Sequence, residues 1–218
     1  MIRLLPLPGV FQPHSDSWLL ARCLEQEPIG PGTAVLDLCT GSGLLAVIAA
    51  TRGASVVAID TSASAVLSAR LNATLNGVAL QAVRGDMFSP LDGRRFDLIA
   101  TNPPYLPSQT GALPSRGMSR AWEGGARGRE FIERICAEAP RHLAPGGALL
   151  LVHSSVCGEH ETIDALSRHG LRTEVVARRR GPLGIRLRER AEWLSERGLL
   201  TDDDQEDIIV FRGHAAGA

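Results

Sequence analysis

The chain has no lysine: its 23 basic residues are all arginine, and 24 acidic residues bring the formal net charge to -1. The missing lysine fits a GC-rich coding sequence, and the near-zero charge removes any global electrostatic reason to bind nucleic acid. Arginines do gather at Arg178-Arg179-Arg180 and between Arg186 and Arg190. Such clusters are ordinarily solvated faces. No apolar stretch is long and uncharged enough to cross a bilayer, and Met1 to Val10, with two prolines, lacks the pattern of a secretory signal. The chain therefore reads as cytoplasmic. Its four cysteines, Cys23, Cys39, Cys136 and Cys157, are scattered with no Cys-x-x-Cys pair. That spacing gives no disulfide framework and argues against a zinc site, so they read as packed thiols and no metal is expected. There is no internal repeat or low-complexity tract, and 218 residues leave little room for a second full domain. One domain over 1–218 is expected.

From Thr33 onward, short β-rich runs alternate with longer helical ones. This is the pattern of an α/β fold with a mostly parallel sheet and helices on both faces. Seven strands are expected: Ala34 to Leu38, Ser55 to Ile59, Leu80 to Arg84, Phe96 to Thr101, Ala148 to His153, Arg172 to Val176 and Ile208 to Phe211. Helices are expected over Gly43 to Thr51, Ser62 to Leu75, Gly128 to His142 and Glu159 to His169, each ended by Gly, Pro or Asn. Residues 1–32 are read as a segment covering the site. Ser108 to Gly128, rich in Gly, Ser and Arg, reads as a long loop over the cleft. An insert from Gly181 to Asp207 precedes the last strand. Its middle, Ile185 to Arg197, carries Leu187, Ala191 and Leu194 on one helical face.

Three of these strands end in an acid. Asp37 precedes the turn Cys39-Thr40-Gly41-Ser42-Gly43, whose glycines let a ligand approach the backbone. In phosphate-binding turns of this kind a pyrophosphate lies here, but Asp37 disfavours an anion and favours a cationic ligand. An aminoacyl sulfonium such as S-adenosylmethionine suits it. Asp60, followed by Thr61, closes the next strand where a carboxylate can chelate ribose hydroxyls. Asp86 closes the third and is placed to accept from an adenine amino group, with Met87 against the ring. The fourth strand runs into Asn102-Pro103-Pro104-Tyr105. Each proline holds the preceding residue extended, leaving the Asn102 amide oxygen and the Pro103 carbonyl as two fixed acceptors. A planar NH2 group that points both N–H bonds at them turns its nitrogen lone pair toward an electrophile on the far side, the geometry of N-methylation.

Together, the Asp37 to Gly43 segment, Asp60, Asp86 and Asn102 to Tyr105, in this order, closely resemble the class I S-adenosylmethionine-dependent methyltransferases of the HemK type. Gln12 to Leu20, Ala121 to Gly125 and Gly128-Arg129-Glu130 look most like their compact eukaryotic and archaeal branch, which lacks the N-terminal helical domain of the bacterial enzymes. The resemblance implies a Rossmann-like fold and methylation of the glutamine amide in the Gly-Gly-Gln motif of peptide-chain release factors. It also implies that Asp16 and Ser17 help hold the methionyl end of the cofactor, that Asn102 with Pro103 grips the glutamine amide, and that Tyr105 walls the substrate pocket. Compact relatives use a small zinc-containing activator subunit on an edge strand. Two features depart from the pattern. Cys39 stands at the first glycine of Asp-x-Gly-x-Gly-x-Gly, which bears on backbone approach and cofactor affinity, and the 181–207 insert is longer than the compact branch leads one to expect.

Other acceptors share the chemistry of an NH2 group. Adenine N6 or another nucleic-acid amine is one, although the chain has no length for a target-recognition domain, and a small-molecule amine or amide is another. A cofactor-binding scaffold without activity is the non-enzymatic reading, against which an intact Asn102 site argues.

Overall fold

A computed structural model of the chain describes residues 2–115, 117–200 and 204–215. Arg116 of the expected loop and residues 201–203 of the expected insert lie outside the described residues, as do Met1 and 216–218.

The strands are β1 (Ala34–Leu38), β2 (Ser55–Asp60), β3 (Gln81–Arg84), β4 (Phe96–Thr101), β5 (Leu143–Ser154), β6 (Leu171–Pro182) and β7 (Gln205–Ala215). They form one seven-stranded sheet in the order β3-β2-β1-β4-β5-β7-β6. The pairings β1–β2, β1–β4, β2–β3 and β4–β5 are parallel, and β7 runs antiparallel to both β5 and β6. Strand order reverses between β1 and β4, so the crevice where such sheets bind ligands opens at their carboxyl ends. Register keeps those ends level, with Leu38 opposite both Ile59 and Thr101.

Helices α1 (Ser15–Gln26), α2 (Leu44–Thr51) and α3 (Ala63–Leu75) cover one face, and α4 (Glu130–His142) and α5 (Glu159–Arg168) the other. Alternation along the strands divides the core. Val35, Val56, Leu98 and Leu150 pack under α1 to α3, while Leu36, Val57, Ile99 and Leu149 pack under α4 and α5. The two short helices α6 (Ile185–Arg188) and α7 (Ala191–Glu196) bury Leu187 and Leu194 in a separate small cluster with Val156 and Leu183. Cys23, Cys136 and Cys157 are buried thiols. Among the described residues, no helix is long and apolar enough to cross a membrane.

All seven expected strands are present, but three are longer than their apolar cores. β6 continues through Arg178-Arg179-Arg180 because it is an end strand whose ladder to β7 runs on to Pro182 opposite Gln205. Arginines on an end strand remain solvated, so burial does not demand alternation there. The expected insert is correspondingly shorter, since Gly181, Pro182 and Gln205 to Asp207 belong to strands. Its middle is two helices rather than one, broken at Glu189 and Arg190. Helix α1 was not expected. Ser15 and Asp16 at its start, followed by Leu20, Ala21 and Leu24 on its buried side, form the sequence signal for it.

Candidate active site

Left-handed residues shape the turns after β1 and β3, beside the strand-end acids. The turn after β1 places Cys39 at φ 60°, in the left-handed region that glycine occupies freely and other residues enter at a cost of about 1–2 kcal/mol. The glycine of the resembled pattern and the cysteine here answer to the same backbone requirement. Met87, after β3, has φ 51°. The two sulfur side chains meet, with Cys39 Sγ 3.9 Å from Met87 Sδ.

A cavity of about 380 Å³ lies along these strand ends, lined by Cys39, Gly41, Asp60, Thr61, Asp86, Met87 and Asn102. The Asp60 carboxylate is fixed by two backbone donors, Gly41 N–H at 3.0 Å and Ser62 N–H at 2.9 Å. Burial raises its pKa, opposed by those donors. Asp86, at the rim, faces Arg134 at 2.9 Å. The roof comes from Phe11 on one side and, on the other, from the segment after Tyr105, where Leu113, Met118 and Arg120 line the cavity. Arg120 also donates to Thr61 Oγ1 at 3.1 Å, tying that segment over the crevice.

Asp37 lies deeper, 1% exposed, and contributes to a small adjoining cavity with Ser17, Thr40 and Gly41. Its Oδ2 accepts from the Thr40 hydroxyl at 2.5 Å and from Ala46 N–H at 3.0 Å, whereas Oδ1 is buried without a partner among the described residues. Burial pushes its pKa up to about 7, against the pull of the Thr40 and Ala46 donors. Gly43 lines none of these cavities. It starts α2 at φ 85°, and a Cβ there would stand 2.8 Å from Ala69 Cα, so its task is helix packing.

A second cavity, of about 260 Å³, lies on the other side of Asn102. Asp16, Pro103, Tyr105, Trp122 and Ile185 line it, and Asn102 borders this cavity and the first. The orientation of Asn102 is set from α1: its Nδ2 donates to Ser17 Oγ at 3.0 Å. That bond uses one of the two amide N–H donors, and Oδ1 has no hydrogen-bond partner among the described residues. Ser17 Oγ and its backbone N–H both lie on Asp16 Oδ1, at 3.2 and 2.6 Å. Asp16 Oδ2 takes the Tyr105 hydroxyl. Behind Tyr105, a Cβ on Gly128 would collide with the Tyr105 carbonyl oxygen, so only glycine lets the returning segment reach α4 past that backbone.

The structure thus brings Cys39, Gly41, Asp60, Thr61, Asp86, Met87 and Asn102 around one cavity and Asp16, Pro103 and Tyr105 around the other, with Asp37, Thr40 and Ser17 between and below. Phe11, Arg120, Arg134, Trp122 and the 181–187 turn were not expected at the site. Phe11 and Trp122 lie in irregular segments and Arg120 in a single short turn, which carry no periodic signal, whereas Arg134 comes from the exposed side of α4 and 181–187 from the end of β6 and the start of α6.

Comparison with known proteins places this geometry. Residues 1–113 match the model of the methyltransferase small domain. The chain belongs to that family. It is an S-adenosylmethionine-dependent methyltransferase. A protein of Methanocaldococcus jannaschii provisionally named a protein N5-glutamine methyltransferase is 36% identical over 182 residues, covering 83% of this chain and 90% of its own length. A release factor glutamine methyltransferase of Gloeobacter violaceus is 38% identical over 152 residues, 64% of this chain and 52% of that one. The chain spans about half the length of that bacterial enzyme. Among solved structures, the Mtq2-Trm112 complex of E. cuniculi, described as responsible for methylating the eRF1 translation termination factor, aligns with TM-score 0.69 at 22% identity over 95% of this chain and 99% of that chain. At that identity it shows the shared fold.

Proposed function

We propose that the enzyme methylates the side-chain amide nitrogen of a glutamine, in the Gly-Gly-Gln motif of a cytoplasmic peptide-chain release factor. The observation that carries this reading is the position of Asn102 in the wall between two cavities, with its Nδ2 engaged by Ser17 and its Oδ1 left to accept. The names of the relatives support the choice of acceptor.

The residues present fit S-adenosylmethionine. Asp60 would hold the ribose hydroxyls, and Asp86 and Met87 the adenine. Asp37, whose buried Oδ1 lacks a donor, would compensate the cationic methionyl end together with Thr40, Gly41 and Ser17. When bound, the cofactor supplies an electrophilic methyl group. Asn102 Oδ1 and the Pro103 carbonyl accept the two N–H bonds of the incoming amide and fix its plane, so the nitrogen lone pair faces the cofactor cavity. Tyr105, held by Asp16, packs against the amide and excludes water. Two glycines before the glutamine keep the entering loop thin enough for the second cavity.

β3 is an end strand of the sheet, and beside it α3 exposes Leu67, Leu71 and Leu75, spaced at one helical turn. This edge supports docking of a small activator subunit, zinc-containing by the resemblance above.

The test is labelled S-adenosylmethionine incubated with release factor, DNA, RNA and free small molecules, with and without an activator, followed by mass spectrometry. Label on the release-factor glutamine is expected. Label on adenine or on a small amine, with that glutamine unmodified, would replace the reading.

A further inference from the structure

Glu206, near the start of β7, lines the second cavity and is 8% exposed. Its Oε1 accepts the Gly184 N–H at 2.7 Å, which holds the carboxylate against the turn from β6 into α6. Oε2 is buried with no hydrogen-bond partner among the described residues. A carboxylate oxygen taken from water without a donor is one of the more costly features a fold can carry. The other charged groups of the cavity wall are engaged. Asp16 receives Tyr105 and Ser17, Arg179 donates to Ser15 Oγ at 2.6 Å, and Arg186 stacks 3.9 Å over the Trp122 ring. Glu206 also acts on Tyr105, whose hydroxyl is held well above its ordinary pKa by burial first, then by the charges of Asp16 and Glu206. Glu206 therefore lines the second cavity and carries a buried oxygen whose hydrogen-bonding capacity is unmet among the described residues.

We propose that Glu206 determines acceptor specificity, its free oxygen receiving an N–H donor carried by the acceptor beside the target amide. The donor is a main-chain N–H or the cationic side chain of a flanking residue. This rests on methyl transfer at Asn102, as proposed above, and not on which acceptor is taken. A target lacking such a donor leaves a buried acceptor unpaired and is rejected, the asymmetry by which polar sites discriminate.

In the test, the acceptor labelled by the wild-type enzyme is used for kinetics, so a release factor left unlabelled beside another labelled acceptor overturns the substrate reading alone. If nothing is labelled, both fall. Glu206→Gln retains an oxygen for the Gly184 N–H and replaces Oε2 by a donor. The expected result is a KM for the acceptor raised about tenfold or more, the cost of one unpaired buried group, with cofactor affinity and kcat within about twofold. An unchanged KM overturns the proposal. So does a variant that loses cofactor affinity or fails to fold, which would assign Glu206 to the scaffold. Neutralising a basic residue beside the target separates the two donors: a KM that rises for wild type but not for Glu206→Gln identifies the side chain, and a KM that changes for neither identifies the main chain.

Discussion

The Tyr105 hydroxyl donates a 2.8 Å hydrogen bond to Asp16 Oδ2, joining residues 89 positions apart. Through Asp16 the bond reaches Ser17, and through Ser17 it reaches Asn102. One carboxylate at the start of α1 thus sets the attitude of both Tyr105 and Asn102, which line the second cavity. The three groups are buried or half-buried, where hydrogen bonds hold geometry more firmly than in water.

This network predicts non-additive kinetics. Tyr105→Phe and Asp16→Ala should each lower kcat/KM, and the double variant should lose less than the sum, with a coupling of about 1–2 kcal/mol in a double-mutant cycle. Strict additivity would mean that Asp16 does not act through Tyr105.

Asn102→Ala should leave cofactor affinity within about twofold by calorimetry while kcat falls on the order of a hundredfold, because the amide orients the reacting nitrogen. Ser17→Ala should fall between that variant and wild type, losing about tenfold, since it removes one hydrogen bond and lets the Asn102 amide turn. A Ser17→Ala enzyme at full rate would show that Asn102 needs no such restraint.

Asp60→Ala removes a half-buried carboxylate from the cavity wall. If it chelates the ribose hydroxyls, binding of S-adenosylhomocysteine should weaken by about 1.5–3 kcal/mol, roughly tenfold to a hundredfold. A change below about twofold would take Asp60 out of the cofactor site.

Two buried groups give the fold opposed pH dependences. Asp37, raised to about 7 from 3.8, prefers its proton in the native state, so its contribution is full below pH 3.8 and is lost as pH rises through 7. His153, lowered to about 4 from 6.5, prefers to be neutral, so its contribution is present above pH 6.5 and is lost as pH falls through 4. Between pH 4 and 6.5 the two slopes oppose, each group being worth on the order of 3 kcal/mol across its window. Urea titrations should therefore show Asp37→Asn losing stability on acidification there relative to the wild type. Cofactor affinity should rise as pH increases through 7, as Asp37 ionises opposite a cationic ligand. An affinity independent of pH would separate Asp37 from the methionyl end.

Periodicity and turn chemistry made the α/β class and the number of strands legible, because Val35-Leu36, Val56-Val57 and Leu98-Ile99 each serve both faces of a buried sheet and read as continuous apolar runs. Asp60 and Asp86 were readable as strand-end acids, and Asn102 as a rigid acceptor, since proline restricts its neighbour locally and independently of fold. Strand ends were not legible where the edge ladder of β6 tolerates arginine, nor was the break between α6 and α7.

What the sequence determined by itself is local: the chain's alternation, the turns after its strands, and the proline-stiffened segment from Asn102 to Tyr105. What only the tertiary structure decided is which distant groups complete the site. Ser17 meets Asn102 85 positions away, Gly184 meets Glu206 across the β6–β7 hairpin, and Arg120 closes on Thr61. The physical reason is that such a hydrogen bond depends on distances of a few tenths of an ångström. Those distances are set when both faces of the sheet are packed, not by any residue's neighbours in the chain.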